Sequence, residues 1–227
     1  EEDARAWIVR EGDERTNPTA YEDYPNPEAS PVVLQLGAGA PGHGTLNILQ
    51  EPGHGTETIV DNFSFSGSAL AQAEFTNHRL LYVTSELASD IHISGTPSIT
   101  IKAASSKPGV NLSVWLVSLP WTESRRAKIT DNIINRSWAD LQNYLSISES
   151  KPLEPGEFYE MTFTFQPDDQ IIPKGQKIGL MIFSSDKDFT LHPDPGTELT
   201  VDLDATSLTL PVVGGRDAFI KAVNGEQ

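Results

Sequence analysis

The chain has 227 residues, with 16 Lys and Arg against 32 Asp and Glu, for a formal net charge of −16. A chain of this length buries about 70% of the surface its unfolded form exposes, enough for one core of its own. The acidity argues against nucleic acid and anionic membrane surfaces as partners, since both need clustered Lys and Arg. The absence of cysteine removes disulfides, thiolate metal sites and cysteine nucleophiles.

The opening "EEDARAWIV" has no Met and no basic stretch before an apolar run, so no signal peptide is expected in this form. A start of this kind suggests a chain cut from a longer one. No segment is long and apolar enough for a membrane helix. Residues 10–31 form a polar, Pro-bearing connection, expected as an ordered surface loop. Residues 37–58 are Gly-rich and contain "PGHGT" twice, at 41–45 and 52–56, as if flanking a short strand or hairpin.

Period-two alternation then dominates. Ile99 and Ile101 share a face in "SITIKA". Leu112, Val114 and Leu116 alternate with Ser113, Trp115 and Val117. Tyr159, Met161, Phe163 and Phe165 alternate with Glu160, Thr162 and Thr164. Leu199, Val201, Leu203, Leu208 and Leu210 continue the pattern. Such runs predict antiparallel strands with one face on a core and the other near water. "IGLMIF" (178–183) is apolar on both faces and predicts a central strand. "KPG" at 107–109, "EPG" at 154–156, "PKG" at 173–175 and "DPG" at 194–196 punctuate the runs as turns. In "SWADLQNYL", Ser137 as an N-cap with Trp138, Leu141 and Leu145 at helical spacing predicts one short helix. The class expected is an all-β jelly-roll β-sandwich of the galactose-binding-domain type, with at most one or two short helices, filling 1–227 as a single domain.

Candidate chemistry is sparse. "MIFSSDKDFTLHPDPGT" (181–197) gathers Ser184, Ser185, Asp186, Asp188 and His192, the residue types of a hydrolase triad. Triad members need no closeness in sequence, and the chain has no G-x-S-x-G elbow. This stretch is better read as a strand end and its loop, with no catalytic residues expected. The five histidines (43, 54, 78, 92, 192) show no H-E-x-x-H spacing, although a hairpin at 45–51 would bring His43 near His54. Asp168/Asp169 and Asp202/Asp204 lack a calcium-loop ligand run. No metal and no cofactor is expected; "GAGAPGHG" lacks the ending of a phosphate loop. Asn62, Asn111 and Asn135 head glycosylation-type tripeptides, "NLS" lying within an expected strand. Aromatics remain as a signal: Trp121 and Trp138 bracket a stretch rich in basic and aromatic residues, which suggests a contact surface.

The order of the strand motifs resembles a known family. "YVTSELASDIHISGTPSITI" followed by "NLSVWLVSL", then "LEPGEFY", "IPKGQKIGL" and "FSSD", is similar to the carboxy-terminal domain of Xaa-Pro dipeptidyl-peptidases and cocaine-esterase-like serine hydrolases. The resemblance covers about Ala4 to Gly215. It implies a non-catalytic jelly roll. That domain would pack on an α/β-hydrolase domain of the same polypeptide, which carries Ser, Asp and His and releases N-terminal Xaa-Pro dipeptides. It also implies that a loop before the "LLY" strand contributes apolar residues to the substrate pocket. Here that loop is 61–78. Phe63, Phe65, Leu70 and Phe75, with Trp121 and Trp138, are then the candidates for cleft or interface contact, the alternative being that the phenylalanines tuck the loop onto its own sandwich. The parent is expected to be secreted or at the cell surface, with a cytoplasmic enzyme and assembly with further copies left open. The competing function is a carbohydrate-binding β-sandwich module, since fold alone does not fix function.

Overall fold

A computed structural model describes residues 5–10, 16–49, 52–122 and 132–225. The described strands are β1 (Ala6–Ile8), β2 (Thr19–Tyr21), β3 (Ala29–Gly37), β4 (Gly44–Asn47), β5 (Thr56–Val60), β6 (Leu80–Val83), β7 (Ile91–Gly95), β8 (Ser98–Ser105), β9 (Asn111–Leu119), β10 (Ile133–Asp140), β11 (Phe158–Thr164), β12 (Asp168–Ile172), β13 (Lys177–Phe183), β14 (Glu198–Asp202) and β15 (Ser207–Val213). Among the described residues two α-helices join them, α1 (Gly67–Gln72) and α2 (Gly215–Asn224). β1 and β2 pair only with each other, while the other strands form one continuous sheet along the path β10-β9-β13-β6-β4-β3-β15-β8-β14-β5. β11 joins β8, and β7 joins β12 and β15. The path doubles back through β4 and β3, so β10-β9-β13-β6 makes one layer and β15, β7 and β8 with their neighbours make the other, as an all-β sandwich requires.

The apolar alternation explains the layers. Ile99 and Ile101, Leu199 and Val201, and Leu208, Leu210 and Val212 all lie fully inside. β13, laddered to β9 on one side and β6 on the other, is buried from Ile178 to Phe183, as "IGLMIF" predicts. Gly175, between β12 and β13, takes φ +85°, the turn geometry that "PKG" predicts.

Three expectations need correction. β9 has both faces covered from Leu112 to Leu119, because it is central between β10 and β13; its alternating Ser113 is inside, its hydroxyl donating to the Ser184 carbonyl at 2.7 Å. Residues 137–140 are strand rather than helix. Cross-strand pairing with β9 from Asn135 to Asp140 outweighs the helical spacing, and a single 3-10 turn follows at Leu141–Asn143. Ser137 caps nothing; its hydroxyl donates to the Thr164 carbonyl at 2.7 Å, and Asp140 accepts from the Gln142 N–H at 2.9 Å instead. Residues 44–47 form one strand between β3 and β6, not a hairpin that would pair His43 with His54.

The two layers meet along a side-chain seam. Besides Ser137, Asn135 donates to the Gln166 carbonyl at 2.8 Å and accepts from the Gln166 N–H at 3.3 Å. These bonds join β10 to the end of β11 and the residues that follow it.

Candidate functional site: an aromatic face

Loop 61–78 is closed and rigid. The Val60 N–H donates to the Asn77 carbonyl at 2.9 Å, and the Thr76 N–H to the Pro41 carbonyl at 2.9 Å. Ser66 caps α1 by accepting from the Ala69 N–H at 3.3 Å. Leu70 and Ala71 turn inward, Leu70 at 3% exposure. Leu70 is therefore an anchor of α1, not a residue presented to a partner. α1 sits close to β9: a Cβ at Gly67 would lie 2.2 Å from the Trp115 ring, so only glycine allows this approach.

Arg79 locks the loop from beneath. It is fully buried, and its guanidinium donates only to carbonyls: Nε to Leu70 at 3.3 Å, Nη2 to Ala73 at 2.6 Å, and Nη1 to Pro41 at 3.1 Å, Gly42 at 2.7 Å and Ala40. It thereby joins the open carbonyl end of α1 to residues 40–42. Burial lowers its pKa to about 10, which leaves it charged near neutrality. Across the same loop Glu57 accepts from the Gly39 N–H at 2.6 Å, the Ala40 N–H at 3.1 Å and the Tyr82 hydroxyl at 2.9 Å.

On this support three phenylalanines stay exposed: Phe63 at 45%, Phe65 at 40% and Phe75 at 68%. Phe63 stacks on His192 at 4.8 Å between ring centroids, and Phe65 on His78 at 5.3 Å. The other two candidates are half-buried, Trp121 against the core and Trp138 against the Phe189 ring. Most of the basic segment between them falls on 123–131, outside the described residues.

The Ser/Asp/His stretch lies beside this loop and holds it. Ser184, Ser185 and Asp186 are all buried. Asp61 accepts from the Ser185 N–H at 2.7 Å and hydroxyl at 2.9 Å, which fixes the start of the loop to the exit of β13. One oxygen of Asp186 accepts from two indoles, Trp115 Nε1 at 3.0 Å and Trp138 Nε1 at 2.9 Å. Burial raises the Asp186 pKa, against the two indole bonds and the Arg136 charge. His192 stacks on Phe63, and the serine hydroxyls are inside the protein. Nucleophile, base and orienting acid are thus not assembled in this stretch. Among the described residues no group of three or more His, Asp or Glu could hold a metal ion.

A cleft of about 610 Å³ continues the face where β10 and β11 separate beyond the seam. Trp138, Tyr144, Phe163 and Leu191 line it, and its surroundings expose Leu145 at 62%, Ile147 at 93% and Leu191 at 88%. Leu191 is next to His192, so cleft and phenylalanine loop are continuous; Asn111 Nδ2 donates to the Leu191 carbonyl and steadies that link. The sequence gives no sign of this cleft, because its walls come from three separate segments. Two aromatics that a sugar platform would need on the surface, Trp115 and Tyr21, are buried at 3% and 7% exposure.

Residues 2–222 match the family described as the X-Pro dipeptidyl-peptidase C-terminal non-catalytic domain. A Rhodopirellula baltica protein, provisionally named an Xaa-Pro dipeptidyl-peptidase, is 60% identical over 217 residues, covering 95% of this chain and 34% of the relative. The Xaa-Pro dipeptidyl-peptidase of Lactobacillus delbrueckii subsp. lactis is 28% identical over 63% of this chain and 21% of its own length. The chain thus spans about a third or less of these relatives. Among solved structures, an aminopeptidase from a marine sediment Thaumarchaeota archaeon shares the fold with a TM-score of 0.67 at 14% identity, over 86% of this chain and 39% of that one. A CocE/NonD family hydrolase from Staphylococcus aureus does so at 0.63 and 12% identity, over 87% and 39%.

Proposed function

The chain belongs to the family of C-terminal non-catalytic domains of X-Pro dipeptidyl-peptidases, and from that premise we propose that it works as the accessory half of a serine hydrolase. It packs on an α/β-hydrolase domain of the same polypeptide and presents loop 61–78 as one wall of that domain's active-site cleft. The chemistry there is acyl transfer, with release of an Xaa-Pro dipeptide through an acyl-enzyme. This chain donates no proton and no nucleophile; it excludes water and orients substrate.

The observation that carries this reading is the pairing of exposure with rigidity. Three phenylalanines stand out of a loop whose backbone is fixed by the Arg79 carbonyl cage and the Asp61–Ser185 bonds. Exposed aromatics on a pre-ordered loop lose little entropy when a partner or substrate covers them. The test is steady-state kinetics of the intact polypeptide on an Xaa-Pro anilide, with Phe63, Phe65 and Phe75 each replaced by Ala. Each replacement removes apolar contact worth about 1–3 kcal/mol, so at least one should raise KM about tenfold with a smaller effect on kcat. Unchanged KM in all three would remove the loop from the cleft.

A further inference from the structure

Strand β10 and the segment after β13 build a second feature that the cleft-wall reading does not use. Arg136 extends from β10 into a set of aromatic rings. Its guanidinium carbon lies 4.6 Å from the Phe189 ring centroid, 5.4 Å from Trp115 and 5.6 Å from Trp138. Phe189 and Trp138 stack on each other at 5.3 Å and 28°. Both tryptophans are pinned through their indole N–H groups to Asp186. The rings that hold the guanidinium are thus themselves held.

A guanidinium gripped through its faces keeps its N–H edge for bidentate contact with a carboxylate. Among the described residues, no hydrogen bond and no ion pair engages that edge. Asp186 attracts Arg136 through space but gives its accepting oxygen to the indoles. Arg136 is half-buried, Phe189 is 55% exposed, and the 610 Å³ cleft adjoins them through Trp138. A positive, pre-positioned donor beside exposed aliphatic side chains has the composition of an interface anchor.

We propose that Arg136 is the carboxylate receptor at which the hydrolase portion of the polypeptide is pinned to this domain: an Asp or Glu of that portion pairs with the guanidinium edge, and its apolar neighbours fill the cleft lined by Trp138, Tyr144 and Leu191. The proposal rests on the packing of the two domains argued above and names the point of attachment. Three observations select this occupant. The relative of 60% identity is about three times as long as the matched region, so in that relative a large body shares the polypeptide with the matching domain. The cleft is continuous with loop 61–78 through the Phe63–His192 stack, so a body that covers the loop reaches it. The net charge of −16 disfavours a second copy of this chain, whose acidity would oppose its own.

The test uses the intact polypeptide. Arg136→Lys puts an amine at the same place, and a water-soluble carbodiimide joins an amine to a carboxylate in direct contact with it. Mass spectrometry should then find position 136 linked to an Asp or Glu of the hydrolase portion. A link only to acids of this chain, such as Asp186 or Asp188, a link between two copies, or no link would overturn the proposal. Arg136→Met supplies the second arm. It keeps apolar stacking without charge, and should speed proteolysis between the two portions about tenfold, whereas Arg136→Lys, which keeps the charge but not the bidentate edge, should speed it less. Equal rates for Met and Lys would assign Arg136 to internal packing and overturn the receptor. Loss of the link with the Phe63, Phe65 and Phe75 effects on KM intact would sink this proposal alone; the converse would sink the cleft-wall reading alone.

Discussion

Asp186 is the side chain whose replacement tells most about the aromatic face. It is 1% exposed, and one oxygen serves two indole donors while the other is buried without a hydrogen bond. Two opposed effects follow. Removal of the acceptor strands the Trp115 N–H in the interior, at about 1–3 kcal/mol for a buried unpaired donor. Trp138, half-buried, can recover part of its bond from water. Asp186→Ala should therefore destabilise the chain by about 2–4 kcal/mol. Asp186→Asn keeps an oxygen for both indoles and removes the charge that burial opposes, and should stay within about 1 kcal/mol of the parent. The pH dependence has a definite sign. A carboxyl whose folded pKa lies above its unfolded value contributes most at low pH, and that contribution is lost as pH rises from about 3.8 through the folded pKa. The Asn variant lacks this loss, so its stability relative to the parent should improve as pH rises through that window. Urea unfolding followed by tryptophan fluorescence at several pH values measures both effects. If Asn costs as much as Ala, or if the difference between parent and Asn does not change with pH, Asp186 is not the buried acceptor described here.

Two further outcomes are expected. Arg79→Met removes the guanidinium donor from the carbonyls of residues 40–42, 70 and 73, of which Ala40 and Pro41 keep the Leu81 and Thr76 N–H groups, and should cost about 3–5 kcal/mol in urea unfolding; a loss under 1 kcal/mol would contradict the cage. Asp169 accepts from the Tyr21 hydroxyl at 3.1 Å and from His92 Nε2 at 2.9 Å, and meets Arg10 Nε at 3.2 Å, which ties the β1–β2 pair to β7 and β12. Burial pushes its pKa up, but hydrogen bonds from His92, Ser94 and Tyr21 and the His92 charge outweigh this and hold it below the usual carboxylate value. Its stabilisation is thus present above the unfolded pKa and lost as pH falls through the folded one, below about 3.8. Asp169→Asn should speed amide exchange in β2 about tenfold at neutral pH while β13 stays protected; equal exchange in parent and variant would refute the tie.

What the sequence made legible is what repeats at short range. β8, β11, β14 and β15 each show their period within five to eight residues, β13 shows an unbroken apolar run, and Pro- and Gly-bearing turns precede β11, β13 and β14. The family resemblance rested on the same strands in the same order. Helix α1 escapes because six residues bury only Gly67, Leu70 and Ala71, too few to show a helical period. The 137–145 stretch misleads because its helical spacing is real but local, while β9 offers pairing partners 23 to 29 residues away. The Arg79 cage has no sequence signal at all: its acceptors are main-chain carbonyls, which any residue supplies. The Trp115–Asp186–Trp138 bridge joins positions 71 and 48 residues apart.

The Ser/Asp/His stretch shows why residue type alone misassigns chemistry. A nucleophilic serine needs an exposed hydroxyl beside a base, yet Ser185 is 2% exposed and bound to the Asp61 carboxylate, while His192 is occupied by the face of Phe63. The polar groups are concentrated at the end of β13 for a mechanical reason. Here the backbone leaves the sheet between loop 61–78, which is not a strand, and β10, which is laddered to β9 on one side. Asp61 with Ser185 holds the loop, Asp186 with two indoles holds β9 and β10, and Phe189 and His192 pack on the residues so fixed. The phenylalanines of the loop and the guanidinium of Arg136 therefore share one support. A change at Asp186 should loosen both at once, so Asp186→Ala in the intact polypeptide is expected to raise KM and weaken domain attachment together. Phe75→Ala should affect only the first and Arg136→Met chiefly the second.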